Sequence, residues 1–189
     1  MNSSLTDIEK AEKAFTEGDF DLLKSLLPPL LEKENPAAIR LNASFFEHNL
    51  PADECDRLYI EGMFKAAKLG DLKAKYQVGV FYDTGEYSVP QDKVLASHIF
   101  KELAELGDPH CMWIYACELI WGTGSFPKAT PDGLELLSRA SELGSADASM
   151  TIARFYDQGE FNFEKDMEQR NKYRRLALRQ DDTTFDPFI

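Results

Sequence analysis

The sequence has no long run of apolar residues, although 43% of its 189 residues are apolar, which is enough to build a continuous core. A membrane-spanning helix needs about 18 or more consecutive apolar residues, so no membrane span is predicted. The first seven residues also have neither the basic start nor the apolar stretch of a secretory signal. We therefore expect a cytoplasmic protein that is not attached to a membrane.

Cysteine and histidine are both scarce, with three residues of each. Cys55, Cys111 and Cys117 are odd in number and show no C-x-x-C spacing, which disfavours a disulfide framework or a zinc site. Free cysteine packs like a small apolar residue, so these three are predicted to be buried thiols in a reducing compartment. The histidines are scattered along the chain and are predicted to be structural. No metal ion and no cofactor is therefore expected.

Basic residues are outnumbered, since 21 Lys and Arg residues stand against 33 Asp and Glu residues and the formal net charge is −12. This balance disfavours binding to nucleic acid, because affinity for a duplex depends on Lys and Arg side chains that neutralise phosphates. A basic protein is the more natural partner. Six of the basic residues lie within residues 165–179 beside only two acids, and we interpret this segment as a solvated last helix.

What the sequence does contain is a repeat with a period of 37 residues. Gly70, Gly107 and Gly144 mark the period, and residues at other matched positions share their chemical character. These positions include Leu69/Leu106/Leu143, Ala74/Cys111/Ala148, Tyr76/Trp113/Met150, Gly79/Ala116/Ala153 and Gly85/Gly122/Gly159. Periods of about 20 to 50 residues are typical of repeat proteins, in which each unit buries its apolar face only by stacking on its neighbours.

The repeat predicts how the chain is organised. Residues 1–34 are expected to form N-terminal capping helices, residues 35–180 the repeat array, and residues 181–189 an acidic aromatic tail that either frays or docks on the last helix, of which we favour docking. The array units are predicted at about 35–70, 71–107, 108–144 and 145–180. Apolar spacing predicts helices at about 6–17, 20–31, 36–46, 53–69, 72–84, 92–106, 109–121, 131–143, 146–158 and 165–179. A kink or break is expected at Pro28 and Pro29, because proline removes a helical hydrogen bond.

The repeat resembles the Sel1-like repeat, a relative of the tetratricopeptide repeat, from about Asp53 to Ala177. The unit that matches best carries the residues of that pattern at Ala74, Tyr76, Val78-Gly79, Tyr82, Gly85, Val89, Asp92, Ala96, Phe100, Leu103-Ala104 and Gly107. The resemblance implies an all-α fold, a right-handed α-solenoid of stacked antiparallel helix pairs. It also implies a protein that presents surface grooves to partner proteins and lacks catalysis.

Departures from the repeat indicate where a partner could bind. Ile120 and Trp121 occupy positions that are polar in both neighbouring units, so both side chains are expected in water. Trp121 is then either a binding anchor, since aromatic residues dominate interface hot spots, or packed under residues 125–128. Glu118 replaces a phenylalanine of the other units and adds a carboxylate nearby. The candidate partner-binding residues are Asp83, Tyr87, Glu118, Ile120, Trp121, Asp157 and Phe161, of which Tyr87 and Phe161 stand where the Sel1-like repeat prefers glycine.

No catalytic pattern accompanies the repeat, because Ser–His–Asp spacing is missing and Gly122-Thr-Gly124 lacks the Lys and Ser/Thr of a phosphate-binding loop. We predict a non-catalytic protein-binding repeat protein, monomeric or weakly dimeric, that binds a basic partner. The most specific hypothesis is a cytosolic bacterial immunity protein that blocks a basic toxin such as a nuclease. The alternatives are a general adaptor that binds a partner peptide in a signalling or assembly complex and, more remotely, a hydrolase that uses recurring carboxylates.

Overall fold

The computed structural model describes residues 5–45 and 50–188, and the regular structure of these residues is helical, as the sequence predicts. The helices are α1 (Asp7–Glu17), α2 (Phe20–Leu31), α3 (Pro36–Ser44), α4 (Ala52–Lys68), α5 (Leu72–Thr84), α6 (Lys93–Glu105), α7 (Pro109–Trp121), α8 (Thr130–Glu142), α9 (Ala146–Gln158) and α10 (Met167–Gln180). A 3-10 turn, Glu86–Ser88, follows α5. Among these described helices, none is both long and apolar enough to cross a membrane.

Side-chain caps explain where several helices begin. At α1, Thr6 and Glu9 form a capping box in which the Glu9 carboxylate accepts a hydrogen bond from the Thr6 backbone N–H at 2.7 Å. Asp71, Asp108 and Ser145 cap α5, α7 and α9 by accepting a hydrogen bond from the backbone N–H three residues further on, at 2.7, 2.7 and 3.2 Å. The period of the sequence therefore recurs as a period of helix starts.

Of the kink or break predicted at the prolines of α2, the break is wrong, because the helix continues for two residues beyond Pro29. Pro28 and Pro29 each remove one backbone donor, and this loss does not end the helix. The turn still closes, with the Glu32 N–H donating to the Pro28 carbonyl at 3.0 Å. Phe46 and His48, which the sequence places in and just after α3, lie outside the described residues.

The first compact unit, residues 1–92, contains α1 to α5. Its core between α1, α2 and α3 is built from Ala11, Ala14, Leu23, Leu27, Ala38 and Leu41. Arg40 of α3 is also buried, and its guanidinium pairs with Glu12 of α1 and, at 3.1 Å, with Asp71 at the start of α5. A buried ion-pair group therefore joins three helices of this unit.

The second compact unit, residues 93–189, contains α6 to α10, and each helix packs on the next one along the chain. Small residues that the repeat places between helices are buried here, namely Ala96, Ala104, Ala116, Ala140, Ala148 and Ala153. Gly133 of α8 continues this pattern. A Cβ atom at Gly133 would lie 2.7 Å from Cγ1 of Ile120 and 2.9 Å from the carbonyl oxygen of Ala116, so α7 and α8 approach more closely than alanine would allow.

The tail folds back onto α9 and α10, as predicted. Phe188 packs against a buried cluster formed by these helices, and Asp186 accepts a hydrogen bond from Nε of Arg174 at 2.7 Å. The guanidinium of Arg170 lies 5.1 Å from the centre of the Phe188 ring. Phe185, by contrast, is 81% exposed. The expectation of a solvated last helix is wrong at Arg170 and Arg174, since the tail partly buries both side chains.

Candidate functional site

Trp121, one of the candidate partner-binding residues, is partly packed and partly exposed. It is the last residue of α7, and its side chain is 41% exposed. Its ring centre lies 5.8 Å from that of Phe155 and 6.0 Å from that of Phe161, and these two rings are 4.8 Å apart. We call these three residues the Trp121 cluster. Because Phe155 is buried, the exposed indole rests on a fixed support.

The alternative position for Trp121, under residues 125–128, is not the one that the structure shows. Phe126 of that loop meets the rings of Tyr115, at 5.3 Å, and His98, at 4.9 Å. The indole instead lies on the side of α7 that faces Phe155 of α9. Trp121 is therefore both packed and exposed, which is the arrangement expected of a preorganised binding anchor.

Phe161 and Tyr87 hold equivalent places in their loops and have an unusual backbone conformation. Their φ angles are 53° and 54°, and the following residues, Asn162 and Ser88, have φ angles of 68° and 62°. This left-handed region is unfavourable for bulky residues, which explains why the Sel1-like repeat prefers glycine here. With this conformation, each loop places an aromatic ring in contact with a buried phenylalanine, Phe155 or Phe81.

Ile120 corrects the sequence-based expectation, because its side chain is fully buried rather than exposed. The cause is the glycine at position 133, which lets α8 approach the turn of α7 that carries Ile120. Thr130, the first residue of α8, also donates a hydrogen bond to the Ile120 carbonyl at 3.3 Å. Ile120 is therefore a core residue and does not contribute to a partner-binding surface.

Glu118 faces the protein interior rather than the surface around Trp121. Its Oε1 atom accepts a hydrogen bond from Oγ of the buried Ser97 on α6 at 2.7 Å, and its Oε2 atom has no accessible surface. A Cβ atom at Gly124 would collide with this carboxylate. In this unit Glu118 and Gly124 thus replace the inner phenylalanine and loop aromatic of the others. Glu118 positions α6 and the loop, which limits its role in binding.

The two recurring aspartates have different surroundings. Asp157 is half-buried and pairs with Arg170 of α10 at 3.2 Å, so its charge is already compensated. Asp83 is exposed, and its backbone carbonyl accepts a hydrogen bond from the side chain of Gln91 at 2.7 Å. Of the two carboxylates, Asp83 is the one available to a partner.

A second aromatic group, the Tyr87 cluster, lies in the first unit and consists of Tyr59, Phe81 and Tyr87. The three ring centres are 5.5 to 5.6 Å apart with steep interplanar angles. Sequence reasoning identified Tyr87 but missed Tyr59, because α4 belongs to a unit whose sequence departs most from the repeat. Tyr59 could have been identified from its position on α4, the helix that directly precedes the first clear repeat unit.

Two polar side chains of α7, those of His110 and Trp113, contact α9. His110 pairs with Asp147 through Nδ1 at 3.2 Å, and Nε1 of Trp113 donates to the Thr151 hydroxyl at 3.0 Å. Burial raises the pKa of the Cys117 thiol to about 12, so the thiol stays protonated and unreactive at neutral pH. All three cysteines are free, but only Cys111 is buried as predicted, whereas Cys55 and Cys117 are partly exposed. Within residues 5–45 and 50–188, no group of three or more His, Cys, Asp or Glu side chains could hold a metal ion.

Comparison by sequence gives one informative relative. No protein-family model matches the chain. The chitin synthase regulator SKT5 of Saccharomyces cerevisiae is 27% identical to it over 128 residues, which make up 67% of this chain and 18% of the regulator. The chain therefore spans less than a fifth of the length of that curated relative.

Comparison by structure gives stronger likeness. A Sel1 repeat protein from Oxalobacter formigenes has a TM-score of 0.72 and 20% identity, with 92% of this chain and 70% of that chain covered. The antigen c5321 of uropathogenic Escherichia coli, which displays an SLR fold, has a TM-score of 0.66 and 21% identity, with 93% and 39% covered. At such identities the likeness shows the fold alone. The predicted fold of stacked helix pairs is confirmed.

Proposed function

We propose that this chain, which has the fold of Sel1-like repeat proteins, is a non-catalytic binding protein that holds a basic protein partner against the Trp121 cluster. The observation that carries the proposal is the half-exposed indole of Trp121, fixed by Phe155 and Phe161 at the end of α7. Tryptophan is among the residues most enriched in interface hot spots, and a side chain that is already ordered loses little entropy on binding.

The net charge of −12 supports a basic partner. Complementary charge speeds the encounter of two proteins and makes the association rate fall as salt is added. Because the Trp121 cluster is apolar, the dissociation rate of the complex should depend less on salt than the association rate does. We thus propose that charge speeds the association of the partner and that contact with Trp121 stabilises the bound complex.

The most specific form of this proposal is a cytosolic immunity protein that occludes the positively charged site of a co-produced toxin such as a nuclease. The acidic charge of the chain supports it. This form predicts one small basic partner, whose activity stops when the chain binds in a one-to-one complex. Purified toxin activity, measured with increasing amounts of the chain, would test it.

An adaptor that binds a peptide of a larger complex is the second candidate. The observation that favours it is the likeness to a yeast protein that is named as a regulator of chitin synthase, over 67% of this chain. An adaptor of this kind would bind larger partners, and a short peptide from such a partner would displace it.

The experiment that separates the two candidates is capture of partners from the native host by the purified chain, at low and at moderate salt, followed by mass spectrometry. A single small basic protein supports the immunity form, whereas large proteins that a peptide displaces support the adaptor. The Trp121→Ala variant should lose the captured protein in either case. Equal capture by this variant, or no specific capture by the native chain, would overturn the proposal.

A further inference from the structure

A small cavity opens beside Tyr59 and Tyr87 in the first unit. Its volume is about 230 Å³, and it is lined by Ser44 of α3, Asp56 and Tyr59 of α4, and Tyr87 of the 3-10 turn. Sites for small-molecule ligands are typically larger, about 300 to 1,000 Å³. At ~30 Å³ per water molecule this cavity has the volume of about eight waters, which is room for one amino-acid side chain.

Two tyrosine rings form the aromatic wall of the cavity. Their centres lie 5.5 Å apart and their planes meet at 63°, so the rings border one space from two directions. Tyr87 is 41% exposed, which leaves part of its ring open to a ligand. Both rings also contact Phe81, whose full burial fixes the wall in place.

Of the described residues that line the cavity, the charged one is acidic. Asp56 lies three residues before Tyr59, so the two are neighbours on one face of α4, and Glu86 directly precedes Tyr87. Burial raises the pKa of the Tyr59 phenol, and the charge of Glu86 raises this pKa further. Both carboxylates are exposed, and neither forms an ion pair with any described residue. Arg57, the nearest base along α4, already pairs with two other glutamates at 2.9 and 3.0 Å.

We propose that this cavity binds one cationic side chain, a lysine or an arginine, presented by a protein partner. Cations bind over tyrosine faces within about 6 Å of the ring centre, and the carboxylate of Asp56 supplies the opposite charge. The Ser44 hydroxyl donates its proton to the Arg40 carbonyl at 2.9 Å, so its oxygen lone pairs can accept a hydrogen bond from the cation. That the side chain belongs to a basic partner rests on the proposed function.

The experiment uses the native chain and three probes: the Nα-acetyl amides of lysine, arginine and norleucine. Norleucine has the alkyl chain of lysine without its charge. Binding is followed by NMR from the assigned ring signals of Tyr59 and Tyr87. We expect lysine or arginine amide to shift these signals with a dissociation constant in the millimolar range, norleucine amide to leave them unchanged, and added salt to weaken the shift.

Two variants and one control make the result specific. Asp56→Asn should weaken cation binding at least fivefold, whereas Asp21→Asn, which removes an exposed acid of α2 that does not line the cavity, should change it less than twofold. Tyr87→Gly should abolish binding and remain folded, because glycine readily adopts the φ of 54° found there. Equal shifts with norleucine amide, or unchanged binding by Asp56→Asn, would overturn the proposal.

This result is independent of the Trp121 surface. Cation binding by a chain that captures no basic partner would refute the proposed function and leave the cavity proposal standing. Capture of a Trp121-dependent partner, without any shift of the tyrosine signals by either cation, would refute the cavity proposal alone.

Discussion

At the scale of single residues, Ile120 and Trp121 are chain neighbours with opposite roles. Ile120 is fully buried against Gly133, so truncation would leave a cavity between α7 and α8. We expect Ile120→Ala to lower the free energy of unfolding by about 2 to 5 kcal/mol and Ile120→Val by about 0.5 to 1.5 kcal/mol. Urea denaturation measures both. A loss below ~0.5 kcal/mol for Ile120→Ala would contradict the burial of this side chain.

Arg40 carries the second prediction at this scale. Its side chain is 9% exposed and pairs with Glu12 and with Asp71, so its removal leaves carboxylates without their buried cation. We expect Arg40→Met to lower the free energy of unfolding by about 3 kcal/mol or more, because breaking one side of a buried pair is strongly destabilising. The matched control is Lys10→Met, which removes an exposed pair with Asp7 and should cost less than ~1 kcal/mol. Similar losses in both variants would contradict this account.

Residue environments were the part of the site that the sequence predicted least well. Comparison of equivalent repeat positions predicts an exposed Ile120. Such a comparison indicates the usual environment of a position, but it does not indicate which residue packs against that position in one particular unit. Here that residue is Gly133, and it lies on a different helix. For the same reason, the hydrogen bond that Glu118 accepts from Ser97 could not be inferred from the residues at the equivalent positions of the other units.

At the scale of elements, the loops after α5 and α9 combine strain with aromatic packing. Ser88 is exposed with φ at 62°, a conformation that costs a non-glycine residue roughly 1 to 2 kcal/mol. We expect Ser88→Gly to be more stable than Ser88→Val by at least ~1 kcal/mol, since a β-branched residue fits this region worst. Thermal unfolding of the pair is the measurement. Equal stability would mean that the loop does not hold this conformation in solution.

The tail is the second element with a clear test. Phe188 packs on α9 and α10, whereas Phe185 is exposed, so the two phenylalanines form a matched pair. Complete burial of a phenylalanine contributes ~1.5 to 3 kcal/mol, and we expect Phe188→Ala to lower the free energy of unfolding by about 1 to 2 kcal/mol. Phe185→Ala should have no measurable effect. The docked tail would be refuted if the two variants unfold at the same urea concentration.

Helix positions were predictable because their signals are local. Caps such as Asp108 and Ser145, and the 37-residue period itself, place α5, α7 and α9 where the sequence predicts them. The prolines of α2 show where local reasoning fails. Each proline removes one helical hydrogen bond, but this local loss does not end α2, whose Leu23 and Leu27 pack in a core with residues of α1 and α3.

At the scale of the whole molecule, the repeat predicts the fold and the charge suggests the kind of partner. Neither predicts a particular partner, because function depends on sites that individual units carry on a shared fold. The Trp121 cluster and the Tyr87 cluster are the two sites proposed for this chain, and each lies within one unit. A long-range electrostatic contribution from the net charge of −12 predicts that association slows as ionic strength rises.

The central claim is that Trp121 holds the partner, and the most direct test is calorimetric titration of the captured partner into three forms of the chain. Native protein is compared with Trp121→Ala and with Val94→Ala, which truncates another exposed apolar side chain of the same unit, 58% exposed. We predict that Trp121→Ala weakens binding by ~2 kcal/mol or more, about 30-fold, with circular dichroism unchanged, and that Val94→Ala binds like the native chain. Native affinity in Trp121→Ala, or an equal loss in both variants, would contradict the account.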